Sequence, residues 1–308
     1  SVVTNLAAAV VSGGNTFSSV TPRVAIEWQA RDNVMIYSSA SKGFKSGGTN
    51  DSVADINTPF DPEEIWSYEL GARYQSEDGR VRLNLTGFMM DYTDKQLTVT
   101  TSTECANRCT TNVGSASIDG IELEGIAQLT DSLRMNLGIG TLDAKWDDIS
   151  NLTAGVEEDS PLSRAPELSY TVGLLHSVDL SSGARFESSI NYAYKSEQES
   201  SGQDSTTLTI PDYGIANLRF AYVAPSNKWT VSLYCNNCAD EKYITGGAAW
   251  AGGTGNTVFP YKLNNHQAYV DVNPLLADLN PAGNAPPGIT LVNIGSPRMI
   301  GLDYNYNF

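Results

Sequence analysis

The sequence predicts an all-β fold, namely the wall of a transmembrane, antiparallel, up-and-down β-barrel. Apolar and polar residues alternate at period two in segment after segment, and many of these segments exceed ten residues. This alternation is typical of a strand with one apolar face. Short turns also alternate with long loops along the chain, and this sorting of connections onto two rims is typical of barrels that span a membrane.

The individual strands follow from the alternation. Between Arg185 and Lys195, for example, Phe186, Ile190 and Tyr192 share one parity, while polar residues take the other. Eleven strands are predicted in this way, at 22–29, 34–45, 64–75, 81–96, 114–129, 132–146, 167–179, 184–196, 212–223, 228–244 and 295–308. Strands of soluble proteins are usually about five or six residues long, so these lengths favour a tall barrel wall.

The connections assign the two rims. The short ones are rich in turn formers and lie at 30–33, 77–80, 130–132, 179–183 and 224–228. The long ones carry most of the Gly, Pro, Asn, Asp and Ser and lie at 46–63, 97–113, 147–166, 197–211 and 245–294. In transmembrane barrels the short turns face the periplasm and the long loops face outside. Residues 1–20 are therefore predicted to be an extracellular loop, and residues 21–308 the strands and loops of the wall.

The C-terminal segment carries the sharpest local pattern. Its apolar positions alternate with small or polar ones and end on an aromatic residue: Ile300, Leu302, Tyr304, Tyr306 and Phe308. This ending resembles the assembly signal of bacterial outer-membrane barrels, which implies the barrel assembly machinery as a partner. Tyr and Trp residues also lie close to the predicted strand ends, as expected of rings that settle at the two bilayer interfaces. The sequence thus predicts a multi-pass protein of the bacterial outer membrane.

Composition excludes two other classes. The chain has 19 Lys+Arg against 35 Asp+Glu and a formal net charge of -16, so its surface repels phosphate backbones and no nucleic-acid partner is predicted. The sequence contains no apolar run long enough to cross a bilayer as a helix, since such a helix needs about 20 residues.

The cysteines form two closely spaced pairs, Cys105 with Cys109 and Cys235 with Cys238. The surrounding Ser, Thr, Asn and acidic residues are typical of an oxidising exterior, which favours two local disulfides. The alternatives are free thiols or one zinc site, and zinc would require both pairs to converge across more than a hundred residues.

Several motifs together resemble the C-terminal part of a TonB-dependent outer-membrane receptor. In chain order they are Tyr37 to Gly48 (Tyr…Ser-Lys-Gly-Phe-Lys-Ser-Gly-Gly), Pro62-Glu63, Tyr68-Glu69-Leu70-Gly71, Asp91 to Gln96, Asn112 to Ala116, Arg164-Ala165-Pro166 and Ala239 to Tyr243. The resemblance covers about Thr21 to Phe308. One departure is Cys235-Asn236-Asn237-Cys238, where the family commonly has Gly-x-Asn-Leu.

The resemblance also implies parts of the receptor that lie outside this sequence. Such barrels close with 22 strands around a plug domain, so an upstream half-barrel and a plug are expected to precede Ser1. The implied function is active uptake of a ferric siderophore or similar metal complex, driven by the TonB complex through the upstream region. Outer-membrane lipid and lipopolysaccharide are the expected surroundings, and neither a cofactor nor enzymatic activity is expected.

Two alternatives from other classes remain at this point. A passive porin would need no plug. An outer-membrane enzyme would need a Ser/His or Asp/His set on the wall, and the only histidines are His176 and His266.

The loop 245–294 is the candidate ligand-binding segment. Its aromatic and imidazole side chains could stack on a bound ligand beside a few polar groups, and the residues predicted to do so are Trp250, Phe259, Tyr261, His266 and Tyr269. The alternative is a surface loop that folds on itself. No metal site is predicted, because the acidic residues of the loop 147–166 lack calcium-loop spacing.

Overall fold

A computed structural model describes residues 16–50, 59–100, 108–150, 156, 158, 160–200, 208–251 and 288–307. The strands are β1 Arg23–Arg31, β2 Val34–Lys45, β3 Gly48–Thr49, β4 Pro59–Phe60, β5 Glu63–Gln75, β6 Val81–Thr100, β7 Arg108–Gln128, β8 Leu133–Ile149, β9 Leu168–Asp179, β10 Arg185–Lys195, β11 Gln198–Glu199, β12 Thr209–Ile210, β13 Tyr213–Val223, β14 Trp229–Asn236, β15 Ile244–Ala251, β16 Gly288–Ile294 and β17 Met299–Tyr306. Within these ranges no helix is long and apolar enough to cross a membrane.

Eleven strands form one sheet in the order β1-β2-β5-β6-β7-β8-β9-β10-β13-β14-β17. Each strand pairs antiparallel with the one that follows it in this order, from the β1/β2 pair to the β14/β17 pair. The sheet therefore runs up and down as predicted. Its two edges, β1 and β17, do not pair with each other, so the described wall is open.

Three two-stranded sheets, β3-β4, β11-β12 and β15-β16, lie in the long connections. The last of these corrects the prediction, because the segment 245–294 begins and ends in paired strands rather than as a loop. The predicted strand 228–244 ends at Asn236, and the predicted strand 295–308 begins at Met299. Strands β6 and β7 extend further outward than predicted, to Thr100 and from Arg108.

The register separates an apolar face from a polar face. Ile190 on β10 lies opposite Leu174 on β9 and Leu218 on β13. Its neighbour Asn191 lies opposite Gly173 and Asn217 on the other face. The apolar face stays exposed, as at Ile190, which is 48% exposed. An exposed apolar face along a whole sheet is expected where lipid covers it.

Aromatic side chains form two belts on the apolar face. The upper pairs are Trp66 with Tyr68 (ring centroids 6.0 Å apart) and Tyr170 with Tyr194 (5.0 Å), and the lower pairs are Phe186 with Phe220 (6.4 Å) and Tyr222 with Trp229 (5.5 Å). Phe186 and Tyr194 lie eight residues apart on β10, which is about 26 Å along a strand. That separation matches an apolar band about 25 Å tall with an aromatic girdle at each interface.

The periplasmic turn between β5 and β6 shows how the short connections are built. Gly79 has a φ of 69°, a conformation that glycine adopts without a steric penalty. Ser76 Oγ and the Arg80 backbone N–H both donate to Asp78 Oδ1, at 2.6 and 3.0 Å. The hydrogen bond from Ser76 and then that from Arg80 lower the pKa of Asp78, because both stabilise the carboxylate.

On the polar face a glycine allows Tyr37 to cross from β2 to β5. The Tyr37 hydroxyl hydrogen-bonds Thr86 Oγ1 at 2.8 Å, and the Arg73 guanidinium lies 5.0 Å from the centre of the tyrosine ring. A Cβ atom at Gly71 would overlap that ring. The packing of aromatic rings over glycines is a known device that pins strand register.

We therefore expect Gly71→Ala to lower the free energy of unfolding by about 1–3 kcal/mol, the usual cost of overpacking. The control is Gly138→Ala, since a Cβ at Gly138 meets nothing within 4 Å. Urea unfolding of the full-length receptor, refolded in lipid vesicles, measures the effect of both substitutions. Equal effects of the two substitutions would show that the ring over Gly71 contributes nothing specific.

Candidate functional site: the outer mouth and the lumen wall

The extracellular part of the wall has its own apolar core. The outer ends of β7 and β8 bury Val113, Ala116 and Trp146 against Val156 and Leu162 of the following connection. A second cluster contains Leu208, Ile210 and Ile244, with Tyr213 and Val292 packed against it. Buried apolar side chains hold loops in place, so the described outer connections are folded parts of the mouth.

Arg164 links three of these connections. Its backbone N–H donates to Glu199 O at 2.9 Å, and its Nη1 donates to Thr245 O at 2.7 Å. Arg164 has a φ of 61°, which a non-glycine residue adopts only where its surroundings hold it. Gly246 leaves room for the guanidinium, because a Cβ there would lie 2.5 Å from Nη2.

The Cys235–Cys238 disulfide predicted from spacing is confirmed, with a Cα–Cα distance of 5.5 Å. Asn237 inside the bridge is 2% exposed, and its amide donates to Glu241 O at 2.8 Å and to Ser296 O at 3.0 Å. This short bridged loop ends β14 and joins it to the segment before β17. Cys109 is also disulfide-bonded. Cys105 lies outside the described residues, so the Cys105–Cys109 pairing stays a prediction.

Alkylation without reduction is expected to modify no thiol, and alkylation after reduction to modify four. Replacing Cys235 and Cys238 by serine should cost about 2 kcal/mol or less, because the closed loop is very short. Mass spectrometry of the alkylated protein and a urea titration measure these two quantities. Four reactive thiols in the unreduced protein, or bound zinc, would contradict the prediction.

Three hollows follow one another along the polar face. The periplasmic one, about 340 Å³, is lined by Arg134, Glu187 and Arg219 among others. The middle one, about 310 Å³, includes Gly138 and Lys195. The outer one, about 330 Å³, lies between β8, the following connection and the β10–β11 segment. All three are lined by both polar and apolar groups.

The predicted ligand-binding residues are only partly placed by the structure. Trp250 lies on β15, in register with Ile289 of β16. The other four, Phe259, Tyr261, His266 and Tyr269, fall outside the described residues. Their role as a binding set therefore stays a prediction.

Of the assembly residues, Ile300, Leu302, Tyr304 and Tyr306 lie on β17, and Phe308 lies outside the described residues.

Of the two histidines considered for a hydrolytic set, His266 lies outside the described residues. His176 on β9 lies opposite Leu133 and Ser188, on the apolar face. Across the described ranges, no three His, Cys, Asp or Glu side chains gather as they would around a metal ion.

Sequence reasoning recognised Gln96, Asn112 and Arg164 as motif residues and gave them no role. The structure places all three at the necks of outer connections, where they hydrogen-bond main-chain atoms of other segments. The sequence around these residues carries no signal for this role, because their hydrogen-bond partners lie in other segments.

An antiparallel wall with an apolar band, two aromatic girdles, a polar inner face and folded outer connections defines an integral outer-membrane β-barrel protein. The family model described as "TonB dependent receptor-like, beta-barrel" matches residues 2–238. The chain therefore belongs to this family, as the motifs predict, and its location is the outer membrane.

Two relatives illustrate the similarity. The metal-pseudopaline receptor CntO of Pseudomonas aeruginosa is 29% identical over 240 residues, 75% of this chain and 31% of that protein. The ferrioxamine B receptor of Salmonella typhimurium is 25% identical over 235 residues, 74% of this chain and 31% of that protein. The chain thus spans about a third of the length of the curated relatives it matches. Both of these relatives are named as receptors.

Solved structures share the fold. The ferric yersiniabactin uptake receptor FyuA of Yersinia pestis matches with a TM-score of 0.69 and 16% identity, over 93% of this chain and 37% of that one. The ferric preacinetobactin receptor BauA of Acinetobacter baumannii matches with a TM-score of 0.62 and 16% identity, over 94% of this chain and 36% of that one. Both share the predicted barrel-wall fold, and this chain covers about a third of each of those two chains.

Proposed function

We propose that this chain forms the C-terminal part of the wall of an active importer, which takes up a metal complex across the outer membrane. The observation that carries the proposal is the open eleven-stranded sheet with an apolar outer face and a polar inner face. An open edge in lipid would leave backbone groups unpaired at a cost of several kcal/mol each, so further strands are needed to close it.

The metal-complex class rests on the relatives. Receptors for metal-pseudopaline and for ferrioxamine B are similar to this chain over about three quarters of its length. We propose a ferric siderophore or a related metal chelate as the cargo. The wall performs no chemistry on it; the outer connections capture it, and a plug domain inside the barrel, pulled by TonB, admits it.

The experiment compares uptake with and without TonB. Cells that lack their own siderophore receptors express the full-length receptor containing this wall, and radioactive iron is supplied on a panel of siderophores of different chelating chemistry. Uptake is expected in cells with an intact TonB complex and absent in otherwise identical cells without TonB. Equal entry in both strains would favour the passive porin, and no entry of any iron complex would remove the siderophore assignment.

A further inference from the structure

The outer connection between β2 and β5 is closed at its neck by two amide side chains, Gln96 of β6 and Asn112 of β7. These two residues are cross-strand partners in the β6/β7 ladder. The last ladder pair of the neck below them joins Lys45 to Glu63. The neck, where the chain leaves β2 after Lys45 and enters β5 at Glu63, therefore lies beside the side-chain amides of Gln96 and Asn112. Each of these amides offers two hydrogen-bond donors and one acceptor oxygen.

Gln96 joins the two stems of the connection directly. Its Nε2 donates to Ser46 O, just after β2, at 3.0 Å, and to Asp61 O, just before β5, also at 3.0 Å. Its backbone N–H donates to Glu63 Oε2 at 2.8 Å. Gln96 is only 7% exposed, so these bonds are shielded from competing water.

Asn112 uses its whole amide at the same place. Its Oδ1 accepts from the Asp61 backbone N–H at 2.7 Å, and its Nδ2 donates to Asp61 O at 3.0 Å and to Asp94 O at 2.7 Å. Asp61 is therefore held at both its N–H and its carbonyl. An amide with donors and acceptor all engaged is costly to displace, because each partner would be left unsatisfied.

A bulge in β6 presents Gln96 to the neck. The register shifts between Tyr92 and Lys95, where the extra residue lies in β6, and shifts back between Lys95 and Gln96, where the extra residue is Val113 of β7. Asp94 inside the bulge has a φ of 52°. Bulges redirect side chains at the ends of strands, and here one breaks the regular alternation immediately before Gln96.

A further bond pair lies beyond the neck. Asn50 Nδ2 donates to Thr110 O, and the Thr110 N–H donates to Asn50 Oδ1, both at 2.8 Å. The side chain of Asn50 thus pairs with β7 as a strand residue would. The first stem is attached to the wall at two levels, at Ser46 and at Asn50.

We propose that Gln96 and Asn112 are positioning residues that clasp the neck of the β2–β5 connection, so that both of its stems are fixed parts of the outer mouth and do not swing as a lid. The clasp belongs to the wall itself and holds whichever complex the receptor carries.

The test is hydrogen exchange, followed by mass spectrometry, of the purified full-length receptor and its Gln96→Leu variant. Leucine keeps the bulk of the side chain and removes both donated bonds. We expect the backbone amides of residues 46–50, Phe60 and Asp61 to exchange about tenfold faster, with exchange in β9 and β10 unchanged. The matched control is Asn191→Leu, an amide-to-leucine change on the polar face of β10, which should leave the two stems as in the parent protein.

Asn112→Asp provides the second variant, because it keeps the acceptor for Asp61 N–H and loses both donors. It should also accelerate exchange of the same stems, because a carboxylate oxygen would then face the Asp61 and Asp94 carbonyl oxygens in place of a donor. Parent-like exchange of the stems in both variants would overturn the proposal. Faster exchange across the whole sheet would also overturn it, since the two amides would then stabilise the wall in general. If the Gln96→Leu variant fails to fold, the Asn112→Asp variant alone tests the proposal. Parent-like exchange of the two stems in that variant would then overturn the proposal.

Discussion

Replacing Ile190 by lysine is expected to lower the free energy of unfolding in a phospholipid bilayer by about 2–4 kcal/mol. Ile190 lies midway between Phe186 and Tyr194, residues of the lower and upper girdles on β10. It is 48% exposed and is flanked by Leu174 and Leu218. A lysine at this height would place an ammonium group near the middle of the apolar band, beside the apolar side chains of Leu174 and Leu218.

Asn191→Lys is the matched control because it adds the same charge one residue further along the same strand. Asn191 lies on the polar face, opposite Gly173 and Asn217, so its lysine would reach the lumen. We expect this substitution to cost less than about 1 kcal/mol, as surface substitutions usually do. Urea unfolding in vesicles of fixed lipid composition measures both variants. Equal costs would mean that protein, and not lipid, covers the face that carries Ile190.

The wall could be predicted from sequence because one rule decides each of its strands. A residue either faces lipid or faces the lumen, so alternation such as that of Phe186, Ile190 and Tyr192 specifies both the strand and its orientation. Turns such as Ser76 to Arg80 are equally local, since their hydrogen bonds join residues a few positions apart. For this reason the eleven strands and their order match the structure closely.

The outer mouth could not be predicted in the same way. The hairpin of β15 and β16 pairs Ala248 with Leu291, more than forty residues apart, and the small residues before Trp250 show no alternation. The end of β14 was also misplaced. Asn237 has a φ of 49° and a buried amide whose acceptor partners include Ser296 O, and neither feature is visible in the pattern of apolar residues.

The clasp residues illustrate the same limit. Gln96 falls on the outer half of a strand, where a polar residue reads as an ordinary solvent-facing side chain. Its function depends on Ser46 and Asp61, which are brought beside it by the β2/β5 and β5/β6 pairings. A role that arises from three segments converging is set by the fold, and no local pattern in one segment contains it.

Deleting Phe308 is expected to reduce the amount of receptor in the outer membrane several-fold. The preceding strand presents Ile300, Leu302 and Tyr304 on the apolar face, at 69%, 68% and 60% exposure, and pairs only with β14 in the described wall. A final aromatic residue would continue this alternation, and its resemblance to a barrel assembly signal predicts that the insertion machinery reads it.

The deletion of Phe308 should reduce insertion of the receptor into the outer membrane and should leave the stability of the inserted barrel unchanged. Phe308 lies two residues beyond Tyr306, the last residue of the β14/β17 ladder, so the full-length variant refolded in vesicles should keep its free energy of unfolding within about 1 kcal/mol of the parent. Asn307→Ala is the control, because it alters the adjacent residue and retains the aromatic end. Quantitative surface labelling of intact cells measures the three proteins. Parent-like surface levels of the Phe308 deletion would contradict the assembly role, and a large loss of stability in vesicles would assign Phe308 to the packing of the wall.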